Sequence, residues 1–520
     1  MTNVAWPAKA EYFSTRGWRL ALAGLSGIVA SASLPPLNLT VAICALSLSA
    51  MAMASARRGR DAFLLGWATG FGWFLFSLSW ISVAFITSGG GHVFLIPFAA
   101  VGLPLLLGIF WAVGYALAWR ASQYQPGRVL MLIAVLSVME YARGRVFSGF
   151  PWNAPGMVVL IDESILGVVA IIGIWGATLL ALLFAMTPAL IWYRQRISVG
   201  LASVVLICFA SLGFIHHGTP DSVSPASGMT ARLVQPNIPQ KDKWLKDERP
   251  AHLGRLAILS AEDTSRAPEV IIWPETAFAG MIEREGEIFR LAMQASSGQT
   301  TPIVTGVLSV KMEDGFRLFN AAVLAQPDGN VTASYNKTHL VPFGEYAPGR
   351  DILPFVEAIA GPIDFSPGEG PVGFRLHRGE EKEEVILAPL ICYEIIFPAL
   401  VRKAVMETGA NVLVNITNDA WFGNTIGPRQ HLAMARLRAA ELGIPVLRVA
   451  NTGISASIDS YGRIMEQIEF NQSGMRDVVV GGAVDTFYRR HGDLIWWAML
   501  GLMVVWAITS SVLTRSKLSL

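Results

Sequence analysis

Long apolar runs separated by short polar breaks fill the first 216 residues, after which the pattern changes. The runs are Trp18–Leu34, Leu39–Ala54, Phe63–Ile86, Val93–Trp119, Val129–Val138, Ile165–Tyr193 and Ile197–Ile215, with another, Leu494–Leu513, near the C-terminus. A helical bilayer crossing takes ~20 apolar residues, so the pattern predicts about eight spanning helices. The fifth is short and runs into Glu140 and Arg143. The first has Arg16 and Arg19 ahead of it and small residues near its end, as a signal peptide would. A second apolar run follows at once, so a retained helix is expected.

Between His217 and Gly492 charges return and the apolar period shortens. Strands are predicted at Ala231–Val234, Val270–Trp273, Ile303–Val310, Ala321–Ala325, Val385–Ile391, Val412–Ile416, Val446–Val449 and Ala456–Asp459. Apolar spacing near 3.6 residues predicts helices at Ala251–Ala261, Glu287–Ala295, Ala399–Thr408 and Arg429–Leu442. Interleaved strands and helices indicate an α/β domain with its helices outside the sheet. The expected division is therefore 1–216 for the first helices, 217–492 for a catalytic domain outside the cytoplasm, and 493–520 for a last helix and tail. Asp351–Gly368 mixes apolar residues with prolines and glycines and shows no period. It reads either as a loop tucked on the domain or as an arm that dips into lipid.

Composition agrees with a membrane protein. The chain is 53% hydrophobic and 15% charged, against about 25% charged for soluble domains, and its mean hydropathy is +0.47. A net charge of +2 and the lack of a basic cluster argue against a nucleic-acid partner. Lys9, Arg16 and Arg19 precede the first span, Arg57, Arg58 and Arg60 follow the second, and Arg515 and Lys517 follow the last. By the positive-inside rule both termini are cytoplasmic, and the domain after the seventh span lies outside. Arg143 and Arg145 break that pattern, either as an interfacial pair for lipid phosphate or as part of a site. No His or Cys spacing suits a metal, and no cofactor is expected.

Of the cysteines, Cys44 and Cys208 sit inside apolar runs, which leaves Cys392 as a thiol without a disulfide partner. It ends the apolar run Val385–Ile391, just before Tyr393-Glu394 and the helix-opening Phe397-Pro398. A nearby helix N-terminus and a lysine would lower its pKa, whereas a lone cysteine in an apolar setting can also be plain core. Glu275 follows Ile271-Ile-Trp-Pro274, where proline stops the ladder and sends the carboxylate off the sheet edge. Lys337 lies in Tyr335-Asn-Lys-Thr-His-Leu-Val-Pro-Phe-Gly-Glu345 and could pair with Glu275 or serve chemistry. A carboxylate, an ammonium and a thiol at strand ends are the parts required for acyl transfer through a thioester.

Together, these motifs resemble the Glu-Lys-Cys signature of the nitrilase, or carbon–nitrogen hydrolase, superfamily over about residues 228–486. With apolar spans before and after the domain, the chain resembles the apolipoprotein N-acyltransferase family. Val234–Gln240 with Trp244, and Asn415–Gly423, are similar to stretches of that family. The resemblance implies an α-β-β-α sandwich and a Glu275, Lys337, Cys392 triad. Glu345, Tyr393 and Glu394 would support it, with Trp244, Trp421, Asn320, Arg143 and Arg145 as substrate-binding candidates. It further implies a bacterial inner-membrane enzyme, expected to be a monomer, with its catalytic domain in the periplasm. The donor would be a phospholipid, phosphatidylethanolamine above all, and the acceptor the N-terminal amine of a diacylglyceryl apolipoprotein. Two alternatives compete with that reading: a membrane-tethered amide or nitrile hydrolase using the same triad, and a transporter or receptor whose domain only binds. The triad alone does not separate the first alternative, because only the acceptor differs.

Overall fold

The computed structural model describes residues 16–87, 96–217, 228–264, 267–296, 300–312, 315–348, 363–378 and 384–518. The chain packs as two compact units. One comprises Met1–Ser82, Phe94–His216 and His491–Leu520, and the other Val83–Val93 and His217–Arg490.

The first unit is helical. In chain order it holds α1 (Arg16–Ser31), a 3-10 turn Thr40–Ala45 running into α2 (Leu46–Ala54), and α3 (Gly59–Ser77). The short α4 (Ile81–Thr87) crosses into the second unit. Then come α5 (Leu103–Ala121), α6 (Gln125–Arg143), α7 (Glu163–Leu166), α8 (Val169–Trp192) and α9 (Arg196–His216). Each apolar run of the sequence thus has a helical counterpart. By length and apolarity four described segments could cross a membrane: Phe98–Ala121, Val169–Trp192, Arg196–His216 and Leu494–Val512. The others are shorter or carry more charge, as in α6 with Arg128, Glu140 and Arg143. α1 lies against α3 with the backbones nearly touching, since a Cβ on Gly27 or on Gly72 would come 2.0 Å from Thr69 O or Gly24 O. Such small-residue contacts are how helices pack where no water drives them together. α8 is buried along nearly its whole length, whereas α9 presents Val204, Ile207 and Phe214 outward. An apolar helix with an exposed apolar face suits a lipid surrounding.

Two expected site residues belong to this unit. Arg143 is fully buried, with Nη2 donating to Glu140 Oε2 at 2.5 Å and Nη1 to the Phe150 carbonyl. Glu140 Oε1 also accepts from Trp111 Nε1 at 2.7 Å. A buried ion pair with its remaining hydrogen bonds filled has little left for a ligand. Arg143 thus ties the end of α6 together. Arg145 remains partly exposed, lies 3.5 Å from the Tyr141 ring centroid and reaches Asp493 at 3.2 Å.

The second unit carries two sheets. β1 (Met229–Gln235), β2 (Val270–Ile272), β3 (Phe278–Met281), β4 (Ile303–Lys311), β5 (Arg317–Ala325), β6 (Val331–Asn336) and β13 (Gly474–Val480) make a seven-stranded sheet in the order β13-β1-β2-β4-β5-β6, with β3 beside β4. β7 (Phe374–Leu376), β8 (Val385–Ile391), β9 (Val412–Thr417), β10 (Val446–Ala450), β11 (Ser455–Ile458) and β12 (Ile464–Ile468) make the second, in the order β12-β11-β10-β9-β8-β7. Both have parallel centres, β1-β2-β4 and β8-β9-β10, with antiparallel flanks.

Strand alternation puts Ala231, Leu233, Leu387, Ile391, Val414 and Ile416 into one core shared by the sheets. A second core lies on the outer face of the first sheet, where Ile271, Trp273 and Val323 meet Leu256 of α10 (Arg249–Ala261) and Phe289 and Met293 of α11 (Gly286–Ser296). On the other sheet, α12 (Pro398–Thr408) packs on β8 and α13 (Gly427–Leu442) on β10. This is the expected α-β-β-α sandwich. α14 (Phe487–His491) and α15 (Leu494–Leu518) lead out of it. Of the expected arm Asp351–Gly368, residues 351–362 lie outside the described residues. Its end is anchored, since Phe365 N–H donates to Glu345 O at 2.8 Å and Gly368 N–H to Lys337 O at 2.8 Å.

Candidate active site

Glu275 leaves β2 as the sequence suggests. Trp273 is fully buried and donates from Nε1 to Ser260 Oγ at 2.9 Å, which fixes the strand end. After Pro274 the chain turns against β4, and the Gly306 N–H donates to Pro274 O at 3.2 Å. That closeness needs glycine, because a Cβ on Gly306 would stand 2.2 Å from Thr276 N. Thr276 itself has φ 44°, rare for a β-branched residue. Such outliers gather at functional sites, where the surroundings hold them in place. Beneath Glu275, the buried Lys243 donates from Nζ to its backbone carbonyl at 2.9 Å.

Lys337 follows β6 and is 1% exposed. Its Nζ donates to Glu345 Oε1 at 2.9 Å and stands 3.8 Å from Glu275 Oε1. Burial disfavours the ammonium, yet the Glu345 and Glu275 carboxylates outweigh it and hold the Lys337 pKa above the ordinary lysine value. Asn320 on β5 donates from Nδ2 to Glu275 Oε1 at 2.8 Å and to Glu345 Oε1 at 2.9 Å. Its amide hydrogens are thereby spent on the two carboxylates. Asn320 thus brackets the Glu275 and Glu345 carboxylates.

Cys392 caps β8 with φ 51°, at the start of a 3-10 turn Cys392–Ile396. The residue as a whole is partly exposed. Burial and the Glu275 charge, only partly offset by Lys337, push its pKa up to about 12. The sequence predicts the opposite shift, from the helix N-terminus and the lysine. The negative carboxylate beside a dry thiol decides the sign.

Glu394 joins the loops that carry Cys392 and Lys337. Oε2 accepts from Ile391 N at 2.8 Å, next to Cys392. Oε1 accepts from Tyr335 Oη at 2.7 Å, Thr338 N at 2.8 Å, Thr338 Oγ1 at 2.9 Å and His339 N at 3.1 Å, on the lysine loop. Burial raises its pKa, against the pull of those donors. Glu345 plays a similar part, with Oε2 accepting Val341 N at 2.8 Å in its own turn. Tyr393 is buried and packs edge-on to Phe397. Trp244 is 47% exposed and Trp421 38%, so neither is a core aromatic.

The sequence analysis did not single out Lys243, His431 or Arg448, all of them buried. Lys243 sits in a polar run, Gln240-Lys-Asp-Lys243, where nothing marks one lysine from the other. His431 and Arg448 lie within a helix and a strand.

The assembly brings a carboxylate, an ammonium and a thiol together at strand ends of facing sheets, with a carboxylate–amide scaffold behind them. Comparison with known proteins identifies the family. The carbon–nitrogen hydrolase profile matches residues 230–485, and the profile of the apolipoprotein N-acyltransferase N-terminal domain matches residues 26–187. A protein of Allorhizobium ampelinum named apolipoprotein N-acyltransferase is 34% identical over 95% of this chain and 96% of its own length. One from Agrobacterium fabrum with the same name is 35% identical over 85% of each. Among solved structures, an amidase of the nitrilase superfamily from Nesterenkonia covers 52% of this chain and 95% of its own, at 20% identity and a TM-score of 0.36. With relatives of that name aligned along nearly its full length, the chain belongs to the apolipoprotein N-acyltransferase family.

Proposed function

We propose that this protein transfers a fatty acyl chain from a phospholipid to the N-terminal amine of a diacylglyceryl-cysteine apolipoprotein, through a thioester on Cys392. The observation that carries the mechanism is the Lys337 ammonium lodged between Glu275 and Glu345, within electrostatic reach of the Cys392 thiol. A thiol that keeps its proton to about pH 12 attacks only as that proton leaves. Glu275 takes it as sulfur adds to the ester carbonyl, and the oxyanion forms against the Lys337 ammonium and the Tyr393 backbone N–H. Losing one such donor raises the barrier by ~3–4 kcal/mol. The carbon–oxygen bond then breaks, Glu275 returns the proton to the lysophospholipid alkoxide, and the acyl-thioester remains. In the second half the free amine adds to the thioester, Glu275 accepts its proton, and the departing Cys392 thiolate takes that proton back. One carboxylate serves as base, acid and base again.

Phosphatidylethanolamine is the donor of this reading. The apolar helices lie in the inner membrane with both termini cytoplasmic, and 217–492 works in the periplasm as part of a monomer. Trp244 and Trp421, half-exposed aromatics, supply acyl contact, and Arg145 is the remaining candidate for lipid phosphate.

The test is intact-protein mass spectrometry after incubation with phosphatidylethanolamine, with Cys392→Ala as control. A fatty-acyl adduct is expected that requires Cys392 and leaves when a diacylglyceryl peptide is added. Decay at one rate with or without the peptide would assign a hydrolase. No adduct would remove the thioester.

A further inference from the structure

Behind the nucleophile lies a buried polar cluster that the reaction scheme does not use. Asn415 of β9, Asp419 of the turn after it, His431 of α13 and Arg448 of β10 are all fully buried. Arg448 Nη2 donates to Asp419 Oδ2 at 2.6 Å, and its Nη1 donates to Asn415 Oδ1. Asp419 Oδ1 lies 3.0 Å from His431 Nδ1 and accepts from Thr417 Oγ1 at 3.0 Å. Two members of the cluster reach one atom, the backbone carbonyl oxygen of Cys392. His431 Nε2 is 3.2 Å from it, and Asn415 Nδ2 donates to it at 3.3 Å.

In residue types this is a Cys-His-Asp set, the arrangement in which histidine is the base. The geometry differs, because the imidazole meets the cysteine's carbonyl. A carbonyl oxygen only accepts, so Nε2 carries the hydrogen. Nδ1, without a hydrogen in this tautomer, accepts from Arg448 Nη2 at 3.1 Å, and Asp419 acts by holding that guanidinium at 2.6 Å; the Phe422 ring lies edge-on to the imidazole. Burial and the Arg448 charge, against Asp419, lower the His431 pKa, leaving a neutral imidazole at pH 7.

We propose that His431, held by Arg448 and through it by Asp419, is a positioning residue whose Nε2–H holds the Cys392 carbonyl, and with it the left-handed backbone that presents the thiol. Cys392 has φ 51°, a conformation that costs a non-glycine residue of order 1–3 kcal/mol and persists only where its surroundings impose it. Holding the carbonyl fixes that peptide. Buried ions are an expensive way to fill a core that apolar side chains would fill as well, and these converge on the nucleophile's own peptide. The inference rests on Cys392 being the nucleophile.

The experiment measures the rate of acyl-thioester formation, per folded protein, in full-length wild type, His431→Gln, His431→Asn and Cys392→Ala. Glutamine can place an amide donor where Nε2 stands, and asparagine is one methylene short. His431→Gln is expected within about threefold of wild type and His431→Asn down about 30- to 100-fold, since small misplacements cost up to 10²-fold. The melting temperatures of the two variants should be close. Equal rates in the two variants, at any level, would overturn the proposal, since the donor would then not matter. The wild-type rate should also show no inflection between pH 6 and 7.5, and this needs no variant to fold. An inflection there that His431→Gln abolishes would make His431 the base and overturn the proposal. Acyl-enzyme in Cys392→Ala would instead sink the nucleophile assignment, whatever His431 does.

Discussion

A thiol whose pKa burial and the Glu275 charge push up to about 12 needs a neighbour to take its proton, and in the proposed cycle that neighbour is Glu275 itself. The proposed role of Glu275 therefore has a signature that a purely structural carboxylate lacks. In Glu275→Gln the negative charge beside the sulfur is gone, the Cys392 pKa falls, and alkylation by iodoacetamide at pH 8 should speed up. Acyl transfer should meanwhile fall by ~10²–10⁴, the usual contribution of a general base. Parallel loss of both rates would mean that Glu275 does not raise the thiol pKa. The cluster of Glu275, Lys337 and Cys392 could be read from the sequence because charged or reactive residues at the ends of fully apolar strands stand out. What surrounds it could not. Asn320 brackets two carboxylates that lie 45 and 25 residues away, a relation set by the pairing of β4, β5 and β6. Lys243 and His431 likewise gain their meaning from a backbone oxygen across the fold.

Strands buried on both faces declare themselves as apolar runs, and β8 has the bounds the sequence predicts. Among the described strands, those missed are mostly the ones at the edges: β6 and β13 of one sheet, β7 and β12 of the other. Half-exposed edges carry the polar and charged residues that discourage pairing with another chain. Gln467 in β12 and Arg476 with Asp477 in β13 hide them from a reading based on hydrophobicity. The predicted helices differ from the observed ones only at their ends, because amphipathic spacing survives one wet face. One prediction belongs to this scale. Gly306→Ala would force β4 and the Glu275 loop apart, so transfer should fall at least tenfold, with the folded state destabilised by ~1–3 kcal/mol of overpacking and a lower melting temperature. Gly474→Ala, where a Cβ would meet nothing within 4 Å, should change neither. A Gly306→Ala enzyme of full activity would show that the close approach is unimportant.

Across the whole molecule, stability and chemistry pull on the same buried charges. Burial pushes the Lys243 pKa down to about 8 from 10.5, against the Glu275 and Cys392 charges. The unfolded chain holds this proton more tightly, so between about pH 8 and 10.5 it binds more protons than the folded one, and stability rises with pH there. The penalty is fully present below pH 8, where it amounts to about 3 kcal/mol at most. Lys243→Met should melt higher than wild type at pH 7, and the gap should narrow by pH 10.5. A gap independent of pH would show that the lysine is not a desolvated cation.

The grouping of Val83–Val93 with the sheets has a practical consequence for taking the protein apart. Within that unit, Thr87 Oγ1 donates to the Trp421 carbonyl at 3.1 Å, and Val83 lies beside Gly423. The described part of this segment, Val83–Thr87, neighbours the Trp421 turn in space although more than a hundred residues separate it along the chain from the first strand. A gene fragment beginning at His217 therefore encodes the sandwich without one of its own pieces, and it leaves bare the turn that carries Trp421. A faithful excision would have to restore that segment, spliced on through a linker or supplied as a peptide.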